Sequence, residues 1–327
     1  MSRYHHYKVG DVIRGDHVIL SVHEGCLGVV YICKQQLPNG KSIYKAIKTF
    51  KDADNEVCRG LFERELTYWV NMPPHPNVVQ ARDADTVNNL LVLEYVHGPT
   101  LQDVAHKNPT HPRHFLHWAR GIAAGLRFLH IENEFVHRDM RPANVLIDTK
   151  RNLTAKISDL GIGKPYNPDV GHHTVIGTFS YMAPEVHRGL TDYRSDIFSY
   201  GATLHCLLTG RYAIAQTTKN LRAVMSPSSV VQGVPEDLAR VVLKCLDREP
   251  GERYQNMDEV IAALAPIEEW TVSETRYRRC ERHNYHYYCE NPRPCCPFCL
   301  YEKQLERDEQ FLAAKLDERE TRRRGDR

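Results

Sequence analysis

The chain contains 327 residues, of which 42% are hydrophobic, and it carries a formal net charge of +2 at neutral pH. This length exceeds that of most single cores and predicts a two-lobed domain or a large domain with a small appendage. The near-balance of charge argues against a general attraction to nucleic acid or to a membrane surface. Because there is no apolar run of about 18 residues and no apolar signal core, we expect a cytoplasmic protein without a membrane partner.

The ten cysteines fall into two groups. Five are scattered through apolar or loop segments without a pairing pattern, and we predict that they are reduced thiols. These are Cys26, Cys33, Cys58, Cys206 and Cys245. The other five crowd between Cys280 and Cys299 and require a separate explanation.

The first third of the chain shows the apolar patterning of strands. Apolar runs at residues 18–20, 29–32 and 43–47 predict two hairpins. Residues 56–70 change to helical spacing, and the apolar run at 90–93 predicts a further buried strand. Together these elements predict a small β-rich lobe.

The following part of the chain is predicted to be mainly helical. Residues 115–130 form a long amphipathic pattern, and residues 196–209 are apolar almost all round, as in a central buried helix. After Pro266 the composition shifts towards Tyr, Arg, Cys and His, which predicts a boundary near Glu268. We therefore predict an α+β protein in which a β-rich lobe precedes a larger helical lobe.

The most informative stretch is residues 137–147, His-Arg-Asp-Met-Arg-Pro-Ala-Asn-Val-Leu-Ile. It places Asp139 five residues before Asn144 in a loop that leads into an apolar strand. A carboxylate can accept a proton, and an amide oxygen can bind a metal ion. The pattern resembles the catalytic loop of protein kinases, H-R-D-x-x-x-x-N. The resemblance implies that Asp139 orients a substrate hydroxyl and that Asn144 binds magnesium.

A second motif lies between two predicted strands. Gly25 and Gly28 resemble the second and third glycines of the kinase Gly-rich loop, with His23 in place of the first. Glycines at such positions let backbone N–H groups approach phosphates closely. Two glycines in a hairpin are ordinary turn chemistry, but about twenty residues later Lys48 ends a match to the V-A-I-K strand.

The resemblance implies that Lys48 holds the α- and β-phosphates and needs a carboxylate to fix its direction. Glu65 matches the glutamate of the family's helix C, and Glu63 competes with it on the same predicted helix. Asp159-Leu160-Gly161 follows a predicted strand and resembles D-F-G. The resemblance makes Asp159 the ligand of a magnesium ion that bridges two phosphates.

Residues 177–185 resemble the G-T-x-x-Y-M-A-P-E segment that ends a kinase activation loop. The resemblance implies that Thr178 favours Ser/Thr substrates over Tyr, and that Glu185 pairs with Arg253. Asp196 matches the aspartate that braces the catalytic loop. A phosphotransferase for small molecules is not expected to show these matches, which shape a groove for protein substrates.

The resemblance covers residues 9–265 and implies a bilobed protein-kinase fold, with an N-lobe at about 9–93 and a C-lobe at about 97–265. ATP is expected under the glycines and against the hinge that follows the strand at 90–93. The implied catalytic residues are Lys48, Glu65, Asp139, Arg141, Asn144 and Asp159. The implied nucleotide contacts are Gly25, Gly28, Val30, Ala46, Lys48, Glu94, Val96, Asn144, Leu146 and Asp159.

Three residues depart from the family pattern: His23 for glycine, Leu160 for phenylalanine, and Arg141 for the usual lysine. None removes a charged group that the resemblance assigns to phosphate or metal. We therefore predict an active, eukaryotic-type Ser/Thr protein kinase of bacterial origin that uses ATP and Mg²⁺. The alternative is a catalytically silent, nucleotide-binding pseudokinase scaffold that acts through its tail.

A regulatory site is also predicted. Arg138 stands directly before Asp139, and kinases with this arginine are often switched by phosphorylation of the activation loop. Thr174 is the candidate for autophosphorylation, and an ordinary exposed loop threonine is the alternative.

The Cys/His-rich segment at residues 270–300 contains two short chelating patterns. Cys280 and His283 form C-x₂-H, and Cys296 and Cys299 form C-x₂-C. Two such turns supply four ligands for a tetrahedral, structural Zn²⁺. A cluster of free or redox-active thiols is the alternative. Three further donors leave the ligand set open: His286, Cys289 and Cys295.

Residues 301–327 are mostly charged and predict a solvated helix with a thin apolar stripe. From Thr271 onward the tail has 13 Lys or Arg and 11 Asp or Glu, which is too balanced for nucleic-acid binding. We expect a protein-contact role for the tail. The predicted partners are ATP and proteins with Ser/Thr hydroxyls, together with dimerisation through the kinase domain or the tail.

Overall fold

The chain forms two compact units. A computed structural model describes residues 7–24, 28–50, 66–105, 109–160, 180–213, 224–271, 277–288 and 296–325. The first unit comprises residues 1–74, 79–96 and 300–327, and the second comprises residues 75–78 and 97–299. Among the helices that the structure describes, none has the length and hydrophobicity that crossing a bilayer requires.

The first unit contains a six-stranded antiparallel sheet. Its strands are β1 (Val12–Ile13), β2 (His17–Glu24), β3 (Gly28–Gln36), β4 (Ser42–Phe50), β5 (Ala81–Asp85) and β6 (Leu90–Glu94). They lie in the order β1-β2-β3-β4-β6-β5. The pairing of β2 with β3 and of β3 with β4 confirms the two predicted hairpins.

The register of β3 and β4 determines what each face of this sheet carries, because successive side chains of a strand point to opposite faces. On one face, Tyr31 and Ile47 are completely buried in the hydrophobic core. On the other face, Val30 lies across from Lys48. Ala46 shares that face, since it lies two residues before Lys48.

Helices dominate the second unit. They are α1 (Leu101–Ala105), α2 (Pro112–Arg127), α3 (Tyr193–Thr209), α4 (Pro227–Val230), α5 (Glu236–Cys245) and α6 (Met257–Leu264). Two hairpins pair β7 (Val145–Asp148) with β8 (Thr154–Ile157), and β9 (Tyr277–Cys280) with β10 (Tyr285–Tyr288). A last helix, α7 (Pro297–Gly325), begins in the second unit and belongs to the first from Leu300 onward. A sheet followed by helices confirms the predicted α+β class.

The helix predicted at residues 115–130 differs at both ends. It begins at Pro112, where the Nδ1 atom of His111 accepts a hydrogen bond from the backbone N–H of Arg113 at 3.3 Å. Proline at the first position suits a helix start because its missing N–H is not needed there. After Arg127 the chain makes a single π-helical turn, Phe128–Glu132. Periodicity does not reveal this change, since Phe128 stays buried through it.

The helix predicted at residues 196–209 begins three residues earlier, at Tyr193. Asp192 caps it by accepting from the N–H of Arg194 at 2.7 Å, and Ser195 accepts in return from the Asp192 N–H. Gly210 ends the helix in the left-handed region, with φ of 67°. The capping signal of Asp192 is local, but the apolar pattern alone does not include it and so places the start three residues late.

A buried ion pair joins two distant parts of the second unit. Arg253 donates to both carboxylate oxygens of Glu185, at 2.7 and 2.8 Å. Its other N–H groups reach the backbone carbonyls of Arg194, Asp247 and Arg248, so all five donors of the guanidinium are used. The predicted pairing of Glu185 with Arg253 is therefore observed.

The β9–β10 hairpin packs on α2. Tyr285 is 3% exposed, lies edge-on to Phe298 of α7 and stacks on Trp118 of α2. His114 accepts from the backbone N–H of His286 at 3.1 Å. Burial, with the nearby His111 and His286, lowers the pKa of His114 to about 3, so it is a neutral acceptor.

The expectation of a solvated tail helix is only half right. A helix is present, but from Leu300 onward it belongs to the first unit. Leu312 is 6% exposed, and Glu309 forms an ion pair with Lys34 of β3 at 2.9 Å. A charged sequence does not reveal such a contact, because its partners lie far away in the chain.

Replacing Arg253 by alanine should lower the free energy of unfolding by about 3–5 kcal/mol, because it leaves the Glu185 carboxylate buried without its cation. Chemical denaturation measures this change. The exposed Arg240, paired with Asp237, supplies a matched control, and Arg240→Ala should leave stability unchanged. Equal effects of the two substitutions would contradict the structural role of Arg253.

The pH dependence of stability gives a second measure of the ion pair between Glu185 and Arg253. Although burial acts against it, hydrogen bonds from Arg253 and Ser195 lower the pKa of Glu185 from its usual 4.5. The stabilisation is therefore complete above pH 4.5 and is lost as the pH falls through the lowered value. Arg253→Ala should remove this part of the acid sensitivity.

Candidate active site

Asp139 and Asn144 are held together at the start of the β7–β8 hairpin. Asp139 is 6% exposed and Asn144 5% exposed. The Nδ2 group of Asn144 donates to the backbone carbonyl of Asp139 at 2.7 Å and to its carboxylate at 2.9 Å. Because Nδ2 makes both bonds, the amide oxygen is not used in them, and that oxygen is the atom able to bind a hard cation.

The backbone before Asp139 is fixed by the buried carboxylate of Asp196 on α3. Its two oxygens accept from the N–H groups of His137 at 2.6 Å and Arg138 at 2.8 Å. The Nε2 atom of His130 lies 2.9 Å from the same carboxylate. Burial opposes ionisation, but these contacts outweigh it and lower the pKa of Asp196. The expected brace of the catalytic loop is thus observed.

His137 connects the loop to the segment that carries Asp159. Its Nδ1 atom accepts from the backbone N–H of Asp139 at 3.2 Å, so Nε2 carries the proton and donates to the carbonyl of Ser158 at 3.0 Å. Ser158 donates in turn from its N–H and its hydroxyl to the carbonyl of Asn144, at 2.8 and 3.1 Å. These bonds tie the residues before Asp159 to both ends of the loop.

Two non-glycine residues here adopt left-handed backbone conformations. Arg138 has φ of 66° and Asp159 has φ of 55°. Such conformations cost free energy and persist only where the surroundings enforce them. The hydrogen bonds to Arg138 and Ser158 supply that enforcement.

The charges around Asp139 complete this half of the site. The Nε atom of Arg141 lies 3.6 Å from the Asp139 carboxylate, and its side chain is 28% exposed. Leu146 follows on β7 and is half-buried. The carboxylate of Asp159 and the amide oxygen of Asn144 are oxygen donors of the kind that Mg²⁺ prefers.

The remaining predicted nucleotide contacts lie in the first unit. Lys48 is 9% exposed and shares its sheet face with Val30 and Ala46. Gly28 begins β3. The predicted hinge residues lie at the end of β6 and just after it. Glu94, the last residue of β6, forms two hydrogen bonds with the backbone of Gln80, at 2.9 and 3.1 Å, and Val96 is buried.

Several predicted residues lie outside the part of the chain that the structure describes, and their roles stay predictions. They are Gly25, Glu65, its competitor Glu63, Thr174, Thr178, Cys289 and Cys295. Other residues of the site were missed by the sequence analysis. His130 and Ser158 belong to no motif in the sequence, and only the packed structure shows their hydrogen bonds.

Cys280, His283, Cys296 and Cys299 come together in the second unit, with all four ligand atoms within 4.8 Å of one another. The three sulfur atoms lie 3.5, 3.7 and 3.5 Å from Nδ1 of His283, and the sulfurs of Cys280 and Cys299 are 3.7 Å apart. A tetrahedral zinc site has S···S of about 3.8 Å and S···N of about 3.5 Å. His286 points elsewhere, to His114.

The chain is similar to known proteins of one family. A family model described as the protein kinase domain matches residues 17–263. The Ser/Thr-protein kinase PrkC of Bacillus subtilis is 31% identical over 78% of this chain and 41% of its own length. A probable Ser/Thr-protein kinase of Clostridium perfringens is 30% identical, over 79% of this chain and 39% of its own.

PknB of Mycolicibacterium smegmatis, also named a Ser/Thr-protein kinase, is 35% identical over 60% of this chain and 34% of its own length. The chain spans about two fifths of the length of the Bacillus and Clostridium relatives. The family match covers most of the described residues and contains the loop, the brace and the buried ion pair. The resemblance inferred from the sequence is confirmed, and the chain belongs to the protein kinase family.

Proposed function

We propose that the protein is a serine/threonine protein kinase that transfers the γ-phosphate of ATP to hydroxyl groups of proteins. The observation that carries this proposal is the hydrogen-bonded frame around Asp139, in which Asn144 and Ser158 join the two predicted magnesium-binding segments. The names of the bacterial relatives support the choice of Ser/Thr substrates.

In the proposed mechanism, Asp139 orients the substrate hydroxyl and accepts its proton while the oxygen bonds to the γ-phosphorus. The bond from that phosphorus to the β–γ bridging oxygen breaks, and ADP leaves. Arg141 places a cation beside this carboxylate and offsets the charge of the transferred group. Asn144 and Asp159 would hold Mg²⁺, which would supply positive charge to offset that of the phosphates.

Lys48 is proposed to hold the α- and β-phosphates, with Glu65 as its carboxylate partner. Val30 and Ala46, on the same sheet face as Lys48, are proposed to contact the nucleotide base together with Leu146. Val96 and Glu94 are assigned to the hinge that binds the edge of the base. Gly25 and Gly28 are assigned to the phosphates.

The pseudokinase alternative predicts that a side chain required for transfer is lost. Instead, Lys48, Asp139, Asn144 and Asp159 are all present in the chain. The described frame also keeps Asp139 and Asn144 in direct contact. We therefore favour catalysis. We further propose a cytoplasmic site of action, where ATP is available and where buried thiols such as Cys33 and Cys245 stay reduced.

We also propose that the four-residue Cys/His cluster binds one structural Zn²⁺. The support comes from distances: the S···N and S···S separations match those between the ligand atoms of a tetrahedral zinc site. The sulfurs of Cys280 and Cys299 are too far apart for a disulfide, whose bond length is about 2.05 Å. With four protein ligands no coordination position remains for a substrate, so the role is structural.

Replacing Asp139 by asparagine should lower phosphate transfer from labelled ATP to a basic acceptor protein by about 100-fold or more. The carboxylate that accepts the proton is then absent, while the size of the side chain is kept. Nucleotide affinity, measured by calorimetry, should change little.

Asp148→Asn is the matched control, because Asp148 is equally buried but its carboxylate accepts from Lys150 in a turn. This variant should retain transfer. Absence of transfer by the wild-type chain, with nucleotide binding intact, would instead favour the scaffold function.

The purified protein should contain about one zinc per chain by elemental analysis, and Cys280→Ser and Cys299→Ser should each lose it. Cys289→Ser is the matched control from the same segment and should keep the metal. Zinc loss in the control, or zinc retention in both ligand variants, would overturn the proposed ligand set.

A further inference from the structure

The first unit has a feature that the catalytic frame does not explain. Helix α7 lies against strands β3 and β4 through Glu309, whose Oε1 atom accepts from Lys34 at 2.9 Å and also from the hydroxyl of Tyr44. These hydrogen bonds, first that of Tyr44 and then that of Lys34, lower the pKa of Glu309. Lys34 and Tyr44 lie directly across from each other, so Glu309 bridges the two strands.

About two turns before Glu309, the same helix contacts the hinge. The hydroxyl of Tyr301 is hydrogen-bonded to the hydroxyl of Tyr95, which lies between Glu94 and Val96. The ring of Tyr95 packs on that of Tyr44, with centroids 5.3 Å apart. The two contacts of α7 therefore converge on one Tyr44–Tyr95 pair.

The contacts follow a single face of α7. Tyr301, Leu305, Glu309 and Leu312 recur at intervals of three or four residues and are half-buried or buried. Phe311, on a different face, is 54% exposed. This periodicity indicates that the helix buries one face between residues 301 and 312.

The sheet face that α7 covers is also the face proposed to bind nucleotide. Tyr44, Ala46 and Lys48 alternate with the core residues of β4, so their side chains share one face. At about 3.4 Å per residue, Tyr44 lies about 7 Å along the strand from Ala46. A shift of Tyr44 would therefore displace Ala46, and a shift of Tyr95 would displace the hinge backbone.

We propose that Tyr301 and Glu309 are positioning residues, through which helix α7 holds β4 and the hinge in the geometry that binds ATP. The inference rests on the proposed kinase function. It assigns the C-terminal helix a part in nucleotide affinity, whereas Asp139, Asn144 and Asp159 carry the transfer itself.

The test is made on the full chain with a non-hydrolysable ATP analogue and Mg²⁺, by calorimetry. Glu309→Gln and Tyr301→Phe should each weaken binding by about 5-fold or more, the lower end of usual coupling between sites. In the transfer assay the same variants should raise the KM for ATP and leave kcat close to that of the wild type. Glu306→Gln, on an exposed position of the same helix, is the matched control and should change neither value.

A double-mutant cycle isolates the hinge contact. Because Tyr95→Phe removes the same hydrogen bond as Tyr301→Phe, the double variant should bind nucleotide no more weakly than either single one. Thermal melts identify any variant that fails to fold, and Glu309→Gln keeps the side-chain shape for that reason. Unchanged affinity in both Glu309→Gln and Tyr301→Phe would overturn the inference.

The outcome also separates this inference from the proposed function. Calorimetry reports nucleotide affinity whether or not phosphate is transferred. Weakened binding in the two helix variants, with no transfer by the wild type, would support the positioning role and reject the kinase activity. Unchanged binding with normal transfer would do the reverse.

Discussion

The carboxylate of Asp196 is the constraint on which the rest of the candidate active site depends. It is buried on α3 and holds the N–H groups of His137 and Arg138, which places Arg138 in a left-handed conformation. The ring of His137 donates a hydrogen bond to the carbonyl of Ser158, and the hydroxyl of Ser158 donates to the carbonyl of Asn144. A single buried charge therefore fixes, through backbone groups, the segments that carry both Asp139 and Asp159.

Much of this arrangement could be predicted from the sequence, because its elements are marked by local signals. Apolar runs identified β2, β3, β4 and β6, and the motif around Asp139 identified the loop. The parts that could not be predicted depend on contacts over long chain separations. His130 and Ser158 are ordinary residues in ordinary segments, and their importance arises only when folding brings them to Asp196 and Asn144. The π-helical turn after Arg127 could not be predicted either, because the apolar face of the helix continues through it.

The Cys/His cluster also shows what spacing in the sequence cannot predict. Spacing singled out the two turns that the structure brings together, but it left His286 as an equally good donor. The structure separates the two histidines, because His286 packs against His114 on α2 while His283 stands beside the three thiols. The anchoring of the hairpin by Tyr285 against Trp118 is what makes this choice. Core packing, and not spacing alone, therefore determines which histidine joins the three thiols.

The continuity of α7 links the two proposals made for the tail. Cys299 lies in the first turn of this helix, and Tyr301 follows two residues later. The first N–H groups of a helix have no partner within it, so the start of a helix is its least stable part unless other groups hold it. Zinc ligation at Cys296 and Cys299 would hold that start and thereby favour helix formation in the residues that follow it.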